Sequence, residues 1–261
     1  MKSLFYNLMK HFCYNNVKKE IKGFFIISVN IEKAGYVQNQ EIISNVHFTI
    51  EKGQLIGLIG SNGAGKSTTI KSIIGTLPFL KGKITKTENE IQTYVPEHPS
   101  FYHYLTLREH IRLTASLHHI PKEVYEKRAQ DLLSLFNLET KLVHFPIHFS
   151  KGMKQKAMLL FSFITEADFF IIDEPFIGLD PKATKDLLHL IEKERKRGAC
   201  ILMCTHVLDT AERYSDSFVL LHEGKILSQG NLEEIRQKAG LPSKPLLECF
   251  YKLQESEESL N

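Results

Sequence analysis

The chain has 261 residues, 43% of them apolar and 24% charged, with a formal net charge of +3. That length buries a full core in one large domain, or in one domain with an inserted lobe, and the composition excludes disorder, collagen and a disulfide scaffold. The charge is too mild to argue for nucleic acid, and 26 lysines against 7 arginines lean away from a reader of DNA bases, for which arginine is the better bidentate donor.

Residues 1–23 read as a basic extension. Five lysines stand against Glu20 alone, and Leu4, Phe5, Leu8, Met9 and Phe12 are spaced to share one helical face. The apolar core of a secretory signal is missing. Two readings stay open, a dangling extension and a basic amphipathic helix that touches a membrane or a partner. Strands are expected at Phe24–Ile31, Ile42–Ile50 and Gln54–Ile59, which are β-branched or alternating runs split by turn residues. A helix follows from Lys66 to Gly75, then a short strand at Ile91–Val95, stopped by Pro96. From 104 to 165 the periodicity is helical. Thr106 and Glu109 form a capping box that starts one helix, and Pro121 opens the next, with Val124, Ala129, Leu132, Leu133 and Phe136 as its apolar stripe. Strands return at Phe169–Ile172, Cys200–Cys204 and Phe218–Leu221, with helices from Pro181 and near Leu208. Lys193–Arg197 reads as a solvated helix face, and Gln254–Asn261 as a frayed acidic tail. No apolar run approaches the ~18–20 residues of a membrane span.

The strongest motif is Gly60-Ser61-Asn62-Gly63-Ala64-Gly65-Lys66-Ser67-Thr68, a phosphate-binding loop between an apolar strand and a helix. Its glycines permit the turn that aims successive backbone N–H groups inward, and the helix N-terminus adds partial positive charge. Lys66 is expected to reach the β- and γ-phosphates and Ser67 to ligate Mg²⁺. Asp173 and Glu174 end an apolar strand 107 residues after Lys66. Asp173 suits Mg²⁺, and Glu174 suits a general base for water. Phe149-Ser150-Lys151-Gly152-Met153 starts a helix, where Ser150 is either an ordinary cap or a phosphate contact. Gly178-Leu179-Asp180 and a strand-end His206 follow. Cys200, Cys204 and His206 have no fourth ligand near them in sequence, so zinc is set aside.

Together, over roughly Val29 to Gly230, these residues resemble the ATP-binding cassette (ABC) ATPases, and the wording of Tyr94–Tyr102, Leu105–His110, Phe149–Lys156 and Ala211–Phe218 resembles the ATPase subunit of Ecs-type bacterial transporters. The resemblance implies an α/β fold: a P-loop NTPase core with a mostly parallel sheet, an antiparallel β subdomain, and an all-helical subdomain inserted at about 97–165. It divides the chain into the extension at 1–23, an ATPase domain at 24–235, and a C-terminal helix with an acidic tail at 236–261. It makes Gly60–Thr68 the Walker A loop, Phe149–Met153 the signature, Asp173 and Glu174 the Walker B pair, Gly178–Asp180 the D-loop and His206 the switch histidine. Tyr36 stands where the family stacks an aromatic on adenine, and stacking of this kind contributes ~1–3 kcal/mol per base in nucleic-acid complexes.

Two departures stand out. Phe149, Lys151 and Met153 replace leucine, glycine and glutamine of the usual signature, and Glu97 stands at the Q-loop glutamine, where it would still approach Mg²⁺. Lys151 either adds charge near the γ-phosphate or points to water. The implied activity is ATP hydrolysis with Mg²⁺ that powers a transporter, in the outward direction for this branch. Implied partners are a second, head-to-tail cassette and a membrane-spanning permease at the cytoplasmic face, with no nucleic acid expected. Ser150, Gly152 and Asp180 would serve the nucleotide across the dimer. The competing reading is a soluble ABC ATPase acting on nucleic acid or ribosomes. Against it, only 86 residues separate Lys66 from Gly152, with no sustained heptads, and one cassette is present.

Overall fold

The computed structural model describes residues 26–38, 40–87 and 90–258. The basic extension at 1–23 lies outside these residues, as do positions 259–261 of the acidic tail. Two sheets carry the fold. The first is antiparallel, in the order β2-β1-β4, with β1 at Ile26–Gly35, β2 at Ile43–Glu51 and β4 at Phe79–Thr85. The second has six strands in the order β5-β6-β7-β3-β8-β9: β3 is Leu55–Gly60, β5 Gln92–Val95, β6 Phe169–Asp173, β7 Cys200–Cys204, β8 Ser217–His222 and β9 Lys225–Gly230. All its pairings are parallel except the β8–β9 hairpin.

The central strands β3, β6 and β7 are buried along their whole length, as parallel strands covered on both faces must be. Their side chains alternate between two cores. Phe170, Ile172, Ile201 and Met203 face one core with the helices of the inserted lobe. Phe169, Ile171, Cys200, Leu202 and Cys204 face the other, under the antiparallel sheet and helix α1 (Lys66–Ile74). Each such aliphatic or aromatic side chain contributes ~1.5–3 kcal/mol on burial. A third core joins Ile59, Phe218 and Leu220 to α6 (Leu208–Tyr214), α7 (Leu232–Ala239) and α8 (Leu246–Glu258).

Between β5 and β6 the chain is helical: α2 (Leu107–Leu117), α3 (Lys122–Phe136), two short 3₁₀ turns and α4 (Lys151–Phe163). The capping box at the start of α2 is complete, since the Glu109 N–H donates to Thr106 Oγ1 at 3.3 Å and the Thr106 N–H to Glu109 Oε2 at 2.7 Å. α3 begins after Pro121, but Val124 is exposed and Tyr125 packs in its place. Counted back from Ala129, the helical period reaches 125 and misses 124.

Two strands escaped the sequence reading. β4 is half-exposed with a lysine on each side of Gly82, and β9 is half-exposed and ends at Gly230. The 193–197 segment, at the end of α5 (Pro181–Arg197), is not a solvated face throughout. The Arg195 guanidinium donates to both Asp216 oxygens at 2.6 and 2.7 Å and to the Gly53 carbonyl at 3.2 Å, and Arg197 Nε donates to buried Glu194 at 2.6 Å. Nor is the tail frayed from Gln254, because α8 continues to Glu258 and Gln254 Nε2 meets His222 Nδ1 at 2.9 Å.

Candidate functional site

The apolar strand β3 leads directly into the phosphate loop. A Cβ on Gly60 would stand 2.6 Å from the Leu221 carbonyl oxygen and 2.8 Å from Ala64 Cβ, so no side chain fits there. Gly65 precedes α1 with φ +103°, and a Cβ there would meet Ile43 Cγ2 at 2.4 Å. Because the cap is a glycine, no side chain satisfies the first N–H groups of α1 and no acidic residue occupies its first turn. The helix end therefore offers free donors and its positive dipole to an anion. Lys66 Nζ donates to the Gly60 and Ser61 carbonyls of the same loop, at 2.7 and 3.0 Å.

Parallel pairing brings the acidic groups to this loop. β6 and β7 run in register with Asp173 opposite Cys204, so the residues just past both strand ends are neighbours. The Glu174 N–H donates to the Cys204 carbonyl at 2.9 Å, and His206 Nδ1 lies 2.8 Å from Glu174 Oε1. Glu174 is buried and has φ +48°, a left-handed conformation that costs a non-glycine residue about 1–3 kcal/mol. Burial, then the negative charges of Glu174 and Glu97, push the Asp173 carboxyl up to about 6 against the pull of Lys66.

Gly60, Ser61, Asn62, Gly63, Gly65, Lys66, Ser67, Thr68, Glu97, Asp173, Glu174 and His206 line one cavity of about 530 Å³, together with Ile42. Ala64 lies beneath the loop, buried, with its carbonyl accepting from the Gly224 N–H at 3.1 Å. Tyr36 is not among the lining residues. It is half-exposed, and its hydroxyl accepts from Lys71 Nζ of α1 at 3.0 Å. Ser150, Gly152 and Asp180 also lie apart from the cavity. Ser150 caps α4, accepting from the Met153 N–H at 3.4 Å, and Asp180 caps α5. Two neighbours were not foreseen. Ile42 read only as a strand residue, and Tyr94 Oη, 3.5 Å from Asp173 Oδ2, comes from β5, whose place beside β6 no local pattern announces.

A larger cleft of about 680 Å³ lies between the antiparallel sheet and β8, but no lysine, arginine or carboxylate lines it. Lysine, uncapped backbone donors, a hydroxyl and carboxylates occur together in the smaller cavity, and that set suits a nucleotide triphosphate with a hard, oxygen-seeking cation.

The family model described as ABC transporter matches residues 43–177. The chain belongs to the ABC transporter family. It is 47% identical over 227 residues to the uncharacterized ABC transporter ATP-binding protein YthP of Bacillus subtilis, covering 87% of this chain and 96% of that one. It is 46% identical over 238 residues to the ABC-type transporter ATP-binding protein EcsA of the same organism, with the same coverage. A solved ATP-binding subunit of an ABC transporter superposes with a TM-score of 0.84 at 43% identity, over 88% of this chain and 99% of that one. A bacterial ABC transporter cassette solved as a dimer shares the fold, with a TM-score of 0.67 at 23% identity over 79% of this chain and 98% of that one. This ABC chain is thus the ATPase cassette of a transporter, and it binds ATP. Among its described residues no helix is long and apolar enough to cross a membrane.

Proposed function

We propose that this cassette hydrolyses ATP at the cavity between the phosphate loop and the ends of β6 and β7, as one of two cassettes that face head to tail beneath a membrane-spanning permease. The observation that carries the chemistry is the Glu174–His206 pair, 2.8 Å apart beside Lys66 and the uncapped end of α1. Lys66 and the backbone N–H groups of Gly63 to Thr68 hold the β- and γ-phosphates. Ser67, Asp173 and Glu97 are the side chains that would hold Mg²⁺, and their hard oxygens in one cavity fit that ion. When bound, Mg²⁺ neutralises phosphate charge as the leaving oxygen departs.

Glu174 accepts a proton from the attacking water as its oxygen bonds to the γ-phosphorus. The bond from that phosphorus to the β–γ bridging oxygen breaks, and ADP and phosphate result. His206, held at Nδ1 by Glu174, turns its other ring nitrogen to the γ-phosphate. Tyr36 stacks on adenine. The placement of Ser150, Gly152 and Asp180 outside the chain's own cavity supports the head-to-tail reading, in which they serve the nucleotide of the second cassette. Loss of the γ-phosphate then removes contacts from both chains and opens the pair. The outward direction of transport rests on the Ecs-type resemblance.

The test is affinity capture of tagged Glu174→Gln protein from detergent-solubilised membranes, with and without ATP, read by mass spectrometry. A stoichiometric multi-span protein is expected. Ribosomes, nucleic acid or soluble proteins in its place would overturn the transporter assembly and favour a soluble ATPase.

A further inference from the structure

Within one chain the signature turn and the start of α4 are tied to the D-loop at two points, and to the segment just before it at a third. Gly152 and Gly178 pack backbone on backbone: a Cβ on Gly152 would stand 2.5 Å from the Gly178 carbonyl oxygen, and Gly178 itself has φ +80°. Gln155 of α4, buried, donates through Nε2 to the Pro175 carbonyl at 3.4 Å, one residue past Glu174. Lys156, the next residue of α4, places Nζ 2.8 Å from Asp180 Oδ2. The other Asp180 oxygen accepts the Ala183 N–H at 2.8 Å, so both carboxylate oxygens are engaged inside the chain. The Lys156 side chain is only 14% exposed, its stem packed along α4 while its ammonium reaches Asp180 at the surface. The Asp180 side chain, 53% exposed, sits at the surface. The pair therefore lies at the rim, where its contribution to global stability is small, while it bridges two segments that the family motifs treat separately.

We infer that Lys156 is a positioning residue that locks the signature turn and the D-loop of one chain into a single piece, so that both are presented in fixed geometry to the nucleotide of the second cassette. This rests on the head-to-tail reading proposed above. Gly152 on Gly178 sets the spacing of the piece, Gln155 anchors it to the segment that leaves Glu174, and Lys156 stops the D-loop from swinging away from α4. Lys156 does not line its own chain's cavity, so its loss should be felt in turnover and not in the capture of ATP.

The experiment compares Lys156→Met and Lys156→Arg with the unchanged protein in steady-state ATPase assays and thermal melts, and compares Glu174→Gln with Lys156→Met/Glu174→Gln for ATP-dependent dimerisation by light scattering. Lys156→Met should lower kcat about tenfold with KM for ATP within twofold and Tm within about 2 °C. Lys156→Arg should restore most of the kcat, and the double variant should form fewer dimers at saturating ATP than Glu174→Gln alone. Normal kcat in Lys156→Met, with ATP-dependent dimers still seen for Glu174→Gln, overturns this inference and leaves the head-to-tail reading standing. A large fall in Tm that Lys156→Arg does not repair also overturns it, because the pair would then be only a structural brace. Glu174→Gln protein that stays monomeric with saturating ATP overturns the head-to-tail reading, and this inference with it.

Discussion

His206 holds its Nδ1 2.8 Å from Oε1 of Glu174, across a gap of 32 residues in the chain. The two meet because β6 and β7 are parallel neighbours in register, and because Glu174 takes a left-handed turn that gives its N–H to the Cys204 carbonyl. The carboxylate is buried while the imidazole is exposed toward the cavity. The strained backbone at Glu174 thus coincides with a carboxylate that lines the cavity.

Replacing Glu174 with Gln should keep this geometry and remove the base. A general base accounts for ~10²–10⁴ in rate, so kcat should fall at least about 100-fold while ATP affinity stays within about threefold. Single-turnover hydrolysis and equilibrium binding separate the two. Normal turnover would refute the assignment of Glu174.

The glycine at the cap of α1 is predicted to be irreplaceable for nucleotide binding. Gly65→Ala adds a methyl 2.4 Å from Ile43 Cγ2 at φ +103°, a strain of about 1–3 kcal/mol. Titration with a fluorescent ATP analogue should show affinity lost by tenfold or more, together with a lower Tm. Gly63→Ala, whose Cβ meets nothing within 4 Å, carries the positive φ of +84° without the clash and should lose less.

Arg195 is predicted to act on stability and not on catalysis. It ties α5 to Asp216, to the Gly53 carbonyl and, at 3.4 Å, to the Tyr214 carbonyl. Arg195→Met leaves Asp216 with only the Leu55 N–H of these two partners and should cost about 2 kcal/mol, read as a lower urea midpoint. ATP turnover per folded molecule should be unchanged.

Acid should weaken the helical lobe through His110. Its ring stacks on Phe161, Nδ1 donates to the Thr106 carbonyl at 2.9 Å, and Nε2 accepts the Tyr102 N–H at 3.0 Å, which only the neutral ring can do. Burial pushes its pKa below the ordinary 6.5, against the opposing effects of the Thr106 carbonyl and Glu109. Below about 6.5 the unfolded chain therefore binds the proton first. The stability this group contributes is full above that pH and is lost as pH falls through the lower folded value. Urea melts from pH 7.5 to 5 should show the decline. His110→Phe keeps the stack but cannot titrate, so its curve should be flatter, and an identical curve would exclude His110 as the cause.

Much of the site was legible before folding because its requirements are local. The phosphate loop needs glycines at fixed offsets between a strand and a helix, and the capping box needs Thr106 and Glu109 three apart, so both show in the order of residues. The strands of the central sheet showed as short apolar runs because they are buried on both faces. β4 and β9 did not, since half-exposed strands with lysines and glycines carry no clean alternation.

Residue order alone names the available groups: Lys66, Ser67, Asp173, Glu174 and His206, each at the end of a strand or the start of a helix. That they share one cavity, that Ser150, Gly152 and Asp180 stand outside it, and that Arg195 and Lys156 are paired with carboxylates follows from how the sheet and helices pack. The reason is physical. Motifs record backbone requirements within a few residues, whereas the meeting of strand ends, and the pairing of a charge with a carboxylate 21 or 24 residues away, depend on sheet order and helix packing, which no local spacing encodes.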